Sequence, residues 1–337
     1  MKRINIFLNV FLCCLFFSSV ISALYSTNTD VFCSVIIDNS SNIQGTANLM
    51  LSHFTFCELM LKEGTYKENV TINIPKGKLL TIKGEGNVVI DQEREATSKL
   101  NISGDGTVNL DGITFKNGYS WRKLDFGSTS WDIYDGGGAL SLSVISNITN
   151  CNFIDNKGDG GAISSIRDIN ITNCNFSNNV AGLTIYKHDS GNNIYTTYSP
   201  LHGGAIFSFS GNLNVIGCRF ENNRADEKYM DPYDEKKEFK EGSGGAIYVS
   251  GKLNIMGSDF INNNARYGGA IQAFSNIDVH ECNFVNNRAD IDGDAIAGVG
   301  GNVTNTFWYG NVQPRSFYGR GVFIYWPVAP EPFRWNT

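Results

Sequence analysis

Four groups of residues in this chain have types and spacings that chemistry can use. Asp159, His202 and Ser243 each stand three residues before the alanine of a recurring Gly-Gly-Ala-aliphatic motif, so a repeating fold would set them in one row. Neighbouring strands lie about 4.8 Å apart, and an acid, an imidazole and a hydroxyl in that order are the parts of a nucleophilic triad. Against this, stacked side chains run parallel rather than converging, and no nucleophile elbow or oxyanion hole surrounds Ser243. The expectation is a turn row without a catalytic residue. Asp290, Asp292 and Asp294 form a D-x-D-G-D run whose alternate carboxylates suit a hard cation such as calcium. The twelfth position is Gly301 and not Glu, which excludes an EF-hand and leaves a solvated turn as the competing reading.

Cysteine and aromatic residues make the other two groups. Of eight cysteines, Cys13 and Cys14 fall in an N-terminal apolar run, and Cys151, Cys174, Cys218 and Cys282 each precede a recurring Phe by two residues. Ser258 takes that place in a further copy, so these read as buried thiols; they lack the spacing of zinc ligands. Cys33 and Cys57 remain as a candidate disulfide. Tyr119, Trp121, Trp131, Tyr134, Tyr186, Tyr195, Tyr198, Tyr229 and Tyr233 concentrate in three stretches that interrupt the repeat. Amphipathic aromatics on surface loops are recognition material for a glycan or a surface protein, and mutual packing over the body is the alternative.

The elements that must position these groups come from the repeat. The motif alanines are Ala139, Ala162, Ala205, Ala246, Ala270 and Ala295, and the first five are followed by Phe-x-x-Asn at Phe153, Phe176, Phe220, Phe260 and Phe284. Alanine and phenylalanine lie 14 residues apart in four copies and 15 in the other, a constancy that fixes a structural register. Alanine-to-alanine spacings of 23, 43, 41, 24 and 25 define a period of 23 to 25 residues and two coils with extra chain. Between motifs, Leu213-Asn214-Val215 and Leu253-Asn254-Ile255 alternate apolar and polar side chains, as short strands with one buried face do.

Two or three such strands per 24 residues, divided by Asn and Gly turns, predict an all-β, right-handed parallel β-helix with short capping segments at both ends. The expected organisation is a signal peptide at 1–23, an N-terminal cap at 24–57, β-helix repeats at 58–311 and a C-terminal cap or tail at 312–337. Insertions are expected at 116–135, 181–199 and 225–242, all leaving one corner of the coil and projecting from one side. The leader reading rests on Lys2 and Arg3, an apolar stretch and the small exit Ser22-Ala23. After its removal no second membrane span is expected, and 25 basic residues against 33 acidic ones argue against nucleic acid as partner. Seven N-x-S/T sequons, at Asn39, Asn69, Asn101, Asn147, Asn170, Asn175 and Asn302, are glycosylation acceptors in an exported chain.

The GGA[IL] and FxxN alternation over residues 60 to 311 resembles the polymorphic membrane protein repeat of bacterial surface adhesins. It is also similar to the adhesin-like β-helix proteins of methanogenic archaea, to whose closing segment Phe307-Trp308-Tyr309-Gly310-Asn311 compares. The resemblance implies a secreted or cell-surface binding protein, and no cofactor is expected. The bacterial proteins carry a C-terminal membrane barrel, for which the residues after 311 are too few, so autotransport is not expected. Residues 64 to 70, GTYKENV, resemble the opening rung of pectin esterases, which keeps open a polysaccharide lyase or esterase, with a structural envelope component as third reading. None of the paired-Asp and Arg signatures of those enzymes is present, and fold alone confers no activity.

Overall fold

The computed structural model describes residues 31–94, 100–125, 129–134, 136–182, 184–189, 194–199, 202–225, 228–231, 234–240, 242–311, 317–318 and 322–325. The predicted leader and Tyr233 lie outside them. The chain folds as a parallel β-helix. One coil shows the plan: strands Ile206–Ser208, Leu213–Ile216, Arg219–Glu221 and Arg224–Ala225 each pair in parallel with the equivalent strands one coil below and one coil above. Strands stay short because three corners per coil bend through a residue in the left-handed region, the first of them at the glycine pair, where Gly203, Gly244 and Gly268 have positive φ. Asn173, Gly217 and Gly257 hold one such corner, and Asn178, Asn222 and Asn262 the next. Asparagine tolerates that conformation better than most residues with a Cβ, which is why the turns read as Asn and Gly.

Inside, each repeated position becomes a column. Phe115, Phe153, Phe176, Phe220, Phe260, Phe284 and Trp308 stack with ring centroids 4.7–5.0 Å apart and nearly parallel planes. Beside them runs a buried amide ladder. The side-chain nitrogen of Asn223 donates to the Phe176 carbonyl at 3.0 Å and to Asn263 Oδ1 at 3.1 Å, while its own Oδ1 accepts from the Asn179 backbone and side chain at 3.0 and 2.9 Å. The same pattern continues through Asn156, Asn179, Asn263, Asn287 and Asn311. Water is excluded from this interior, so each amide relies on its neighbour coil to be satisfied.

The glycine pair of each motif lets coils approach at the corner. A Cβ on Gly204 would overlap the Gly245 carbonyl oxygen of the next coil and the Arg224 nitrogen. Alanine follows because the position after it is equally enclosed: Ala205, Ala246 and Ala270 are fully buried.

At the N-terminal end an α-helix, Ile43–His53, lays Ile43, Ala47, Met50 and Leu51 onto the core beside strands Phe56–Tyr66 and Val70–Ile74. Asn42 caps its first turn through Gly45, and the Glu68 carboxylate accepts from the Ile43 and Gln44 amides at 2.8 and 3.2 Å, where the helix dipole favours an anion. Parallel pairing extends past the predicted limits of the repeats. Phe32–Ile37 pairs with Phe56–Tyr66, and Val322–Tyr325 pairs with Gly301–Thr304.

The insertions start just after the short corner strand and end just before the glycine pair. Those carrying Trp121–Asp125, Thr129–Tyr134, Thr184–Asp189 and Ile194–Ser199 join in one four-stranded antiparallel sheet, although they come from different coils. The third forms a hairpin of its own, Lys228–Asp231 with Asp234–Lys240.

Removing one rung of the ladder should be far costlier than removing an outward amide. Asn223→Ala removes the acceptor of the Asn179 backbone and side-chain donors and the donor to Phe176 and Asn263 in a dry interior, an expected loss of about 3 kcal/mol. Asn214→Ala, on the outer face, should cost less than about 1 kcal/mol. Guanidinium unfolding of both variants checks the difference.

Candidate functional site

The strands that follow the glycine pairs turn alternate residues outward, and on three coils those residues are aromatic. Phe207 and Tyr248 are register partners on adjacent coils, with ring centroids 5.4 Å apart. Phe209 lies 5.9 Å from Phe207, and Phe274 lies 5.2 Å from Tyr248. Phe209 and Phe274 remain 58% and 51% exposed, so the group is an open apolar face and not a buried satellite core. Gly160 makes room for it, since a Cβ there would meet the Cβ of Phe207.

His202 enters this cluster from the corner row. Its ring stacks on Phe207 at 5.1 Å and meets Tyr248 edge-on at 4.4 Å, and its Nδ1 is 3.7 Å from Asp159 Oδ1. Burial, opposed by a hydrogen bond to Ser250 and reinforced by the Asp159 carboxylate, pushes the Tyr248 phenol above its ordinary value. The row predicted from sequence therefore exists: His202 bridges Ser243, Ser243 bridges Tyr267, and Tyr267 pairs with Asp292. It brings Asp159 to His202. Among the described residues Ser243 forms no hydrogen bond with His202, whose ring is engaged by the aromatics, so the base contact a nucleophile requires is missing.

The aspartate run does not converge. Asp290 faces Arg288 at 3.6 Å, Asp292 accepts from the Gly293 amide at 3.0 Å, and Asp294 is buried and accepts from the Ala289 amide at 2.9 Å. Burial raises the Asp294 carboxyl above the usual carboxylate range. Among the described residues no group of three or more His, Cys, Asp or Glu is placed to hold a metal ion.

The repeated cysteines are buried, as their spacing suggests, and their role is more definite than filling space. Each thiol lies 3.2–3.3 Å from the carbonyl two residues earlier, at Thr149, Thr172, Ile216 and His280, and the hydroxyls of Ser258 and Thr306 make the same bond. The sulfur also accepts: the Cys151 amide donates to Cys174 Sγ, and the Cys174 amide to Cys218 Sγ, both at 3.4 Å. The position demands a small side chain that donates and accepts, hence Cys, Ser or Thr. Cys33 and Cys57 are inward register partners on adjacent coils, present as free thiols, with burial pushing them up to about 11 and about 12.

Of the predicted binding aromatics, Tyr119 is half-buried and bridges Lys157 at the foot of the first insertion, where Ser120 Oγ donates to the Gly136 carbonyl at 2.6 Å. In the antiparallel sheet Trp121 pairs with Tyr134, Trp131 with Tyr186, Tyr198 with Ile185 and Tyr195 with His188. Tyr229 pairs with Phe239 in the hairpin. Sequence reasoning missed Phe207, Phe209, Tyr248 and Phe274. The available signal was their alternation with inward Ile206, Ser208 and Val249 in the strands after each glycine pair.

Residues 217–250 match the model of the Chlamydia polymorphic membrane protein repeat. The matched stretch runs from the Gly217 corner through Cys218, Phe220 and Asn223 to the glycine pair and Ile247, so the chain carries a repeat of this type. A crystal structure described as the Agl-KA catalytic domain aligns with 83% of this chain at 10% identity and a TM-score of 0.22. The alignment takes in 64% of that chain, less than two thirds of its length, and so loose a superposition carries no argument about activity. No curated protein matches. No helix among the described residues is long and apolar enough to cross a membrane.

Because Ser and Thr already replace cysteine in the thiol column, Cys174→Ser should leave stability within about 1 kcal/mol of the parent. Cys174→Val removes both the donor and the acceptor and should cost about 2 kcal/mol. In the folded protein the Cys174 thiol, pushed up to about 12 chiefly by its hydrogen bonding with Cys151, should resist alkylation at neutral pH and react only on unfolding.

Proposed function

We propose that the protein is a secreted or cell-surface binding protein of the adhesin kind, with a protein partner docking on the aromatic face and the adjoining insertions. The exposed cluster of Phe207, Phe209, Tyr248 and Phe274 carries the reading. Three of the four rings carry no polar handle and the Tyr248 hydroxyl is engaged by Ser250, and rings held in fixed positions by backbone pairing on three coils lose little entropy on binding and suit the apolar centre of a protein interface. The match to a membrane-protein repeat and the structured insertions at the same corner support it.

The labelled full chain should bind a target cell surface, and Phe209→Ser with Phe274→Ser should weaken that binding about tenfold or more with no change in Tm. Protease treatment of the cells should abolish it. Binding lost on periodate oxidation of cell-surface sugars and kept after protease treatment would replace the protein partner with a glycan. Unchanged binding by the double variant would remove this face from the account.

Export also bears on Cys33 and Cys57. Their register across adjacent coils suits a bridge, so chain recovered from an oxidising compartment should weigh two hydrogens less than its reduced form.

A further inference from the structure

The N-terminal coils carry an open groove on the outer face, remote in sequence from the aromatic cluster. Phe56, Leu79, Thr107 and Ile145 are successive register partners and form its floor, a column that at strand spacing extends about 14 Å along the helix axis. One wall is made of the amides of Asn109 and Asn147. The other is the packed pair of turns at Gly77-Lys78 and Asp105-Gly106. That second wall is held by backbone: the Thr107 amide donates to the Lys78 carbonyl at 3.0 Å, and a Cβ on Gly106 would run into the Lys78 and Pro75 carbonyl oxygens. The open space of the groove measures about 410 Å³, within the range of small-ligand sites.

The polar groups of the groove are arranged in a specific way. Asn147 Nδ2 donates to Asn109 Oδ1 at 2.9 Å, Asn109 Nδ2 donates to Thr81 Oγ1 at 3.3 Å, and Asn147 Oδ1 accepts from Asn170 at 2.8 Å. A primary amide has two N–H donors and two acceptor lone pairs, so the ladder orients each side chain while using half of its capacity. The remainder is a pre-set donor and acceptor at each coil. The charged groups are already engaged: Asp105 pairs with Arg167 at 3.0 Å, and the Lys78 ammonium donates to the Leu51 carbonyl. Asp105 is the one carboxylate in the lining, whereas glycoside hydrolysis needs two. An apolar floor, an amide wall and a lining with one ammonium and one carboxylate, each engaged by the protein, fit a neutral ligand with alternating C–H faces and hydroxyl edges.

We propose that this groove binds a neutral oligosaccharide, a run of two or three pyranose rings laid along the helix axis with C–H faces on Phe56, Leu79 and Ile145 and hydroxyls on Asn109 and Asn147. It is a binding site, independent of the partner proposed for the aromatic face.

The test uses the full chain made in a host without N-glycosylation, which keeps the Asn147 amide intact. Calorimetric titration with cello-, xylo-, manno-, malto- and laminari-hexaose, and with the charged hexamer of galacturonic acid, identifies the ligand class. At least one neutral hexamer should bind. Ile145→Ser and Thr107→Trp, the second filling the groove from its floor, should each weaken it about tenfold or more with unchanged Tm. The Phe209→Ser, Phe274→Ser variant should bind as the parent does. No binding by any neutral hexamer, preference for the charged hexamer, or loss in the aromatic-face variant with retention in Thr107→Trp would each overturn the proposal.

Discussion

A side-chain amide buried away from water must find both its donors and its acceptors a partner, and in this protein the partner is the same residue one coil further on. Asn179, Asn223 and Asn263 satisfy one another only while successive coils remain at strand spacing and in register. The phenylalanine column imposes the same condition from the neighbouring position, since rings 4.7–4.8 Å apart tolerate neither a slipped nor a lengthened coil. Interior columns therefore set the length of chain allowed between strand and strand. The three long insertions enter at a single place, between the short corner strand and the glycine pair. There Ser120, Ala181 and Ala225 leave the coil, and Gly136, His202 and Gly242 return to it.

The same constraint frees the outside. A strand of three residues such as Ile206–Ser208 places its ends inward and its centre outward, so Phe207 owes nothing to the interior. Outward columns can differ from coil to coil while the fold is unchanged. That freedom permits apolar rings beside the second and third insertions, amides along Asn109, Asn147, Asn170, Asn214 and Asn254, and a largely apolar floor near the N-terminal helix. Several sequons belong to this outer ladder. Asn147 and Asn170 donate through the very nitrogen a glycan would occupy, so their recurrence follows from stacking geometry.

Much of the architecture was legible in the sequence because its determinants repeat at constant separation. The alanine-to-phenylalanine spacing located the core column, and the asparagine three residues later located the ladder. Cysteine was legible as buried but not as hydrogen-bonding, although Ser258 and Thr306 in equivalent places pointed to a shared donor. The functional surfaces were less legible for a physical reason. Phe207 and Tyr248 are 41 residues apart and become neighbours through an insertion whose length carries no register information. Asp294 misled in the opposite way: adjacent carboxylates suggested a shared cation, whereas the broken motif turned one of them inward to cap Ala289.

Native-state hydrogen exchange followed by mass spectrometry tests the central claim most directly. If the amide ladder and ring column hold the coils together, the peptides spanning 176–179, 220–223 and 260–263 should be the slowest to exchange and should open together, at the free energy of global unfolding. Exchange of those segments one by one, or faster than that of the insertions, would show that the coils do not depend on one another as described.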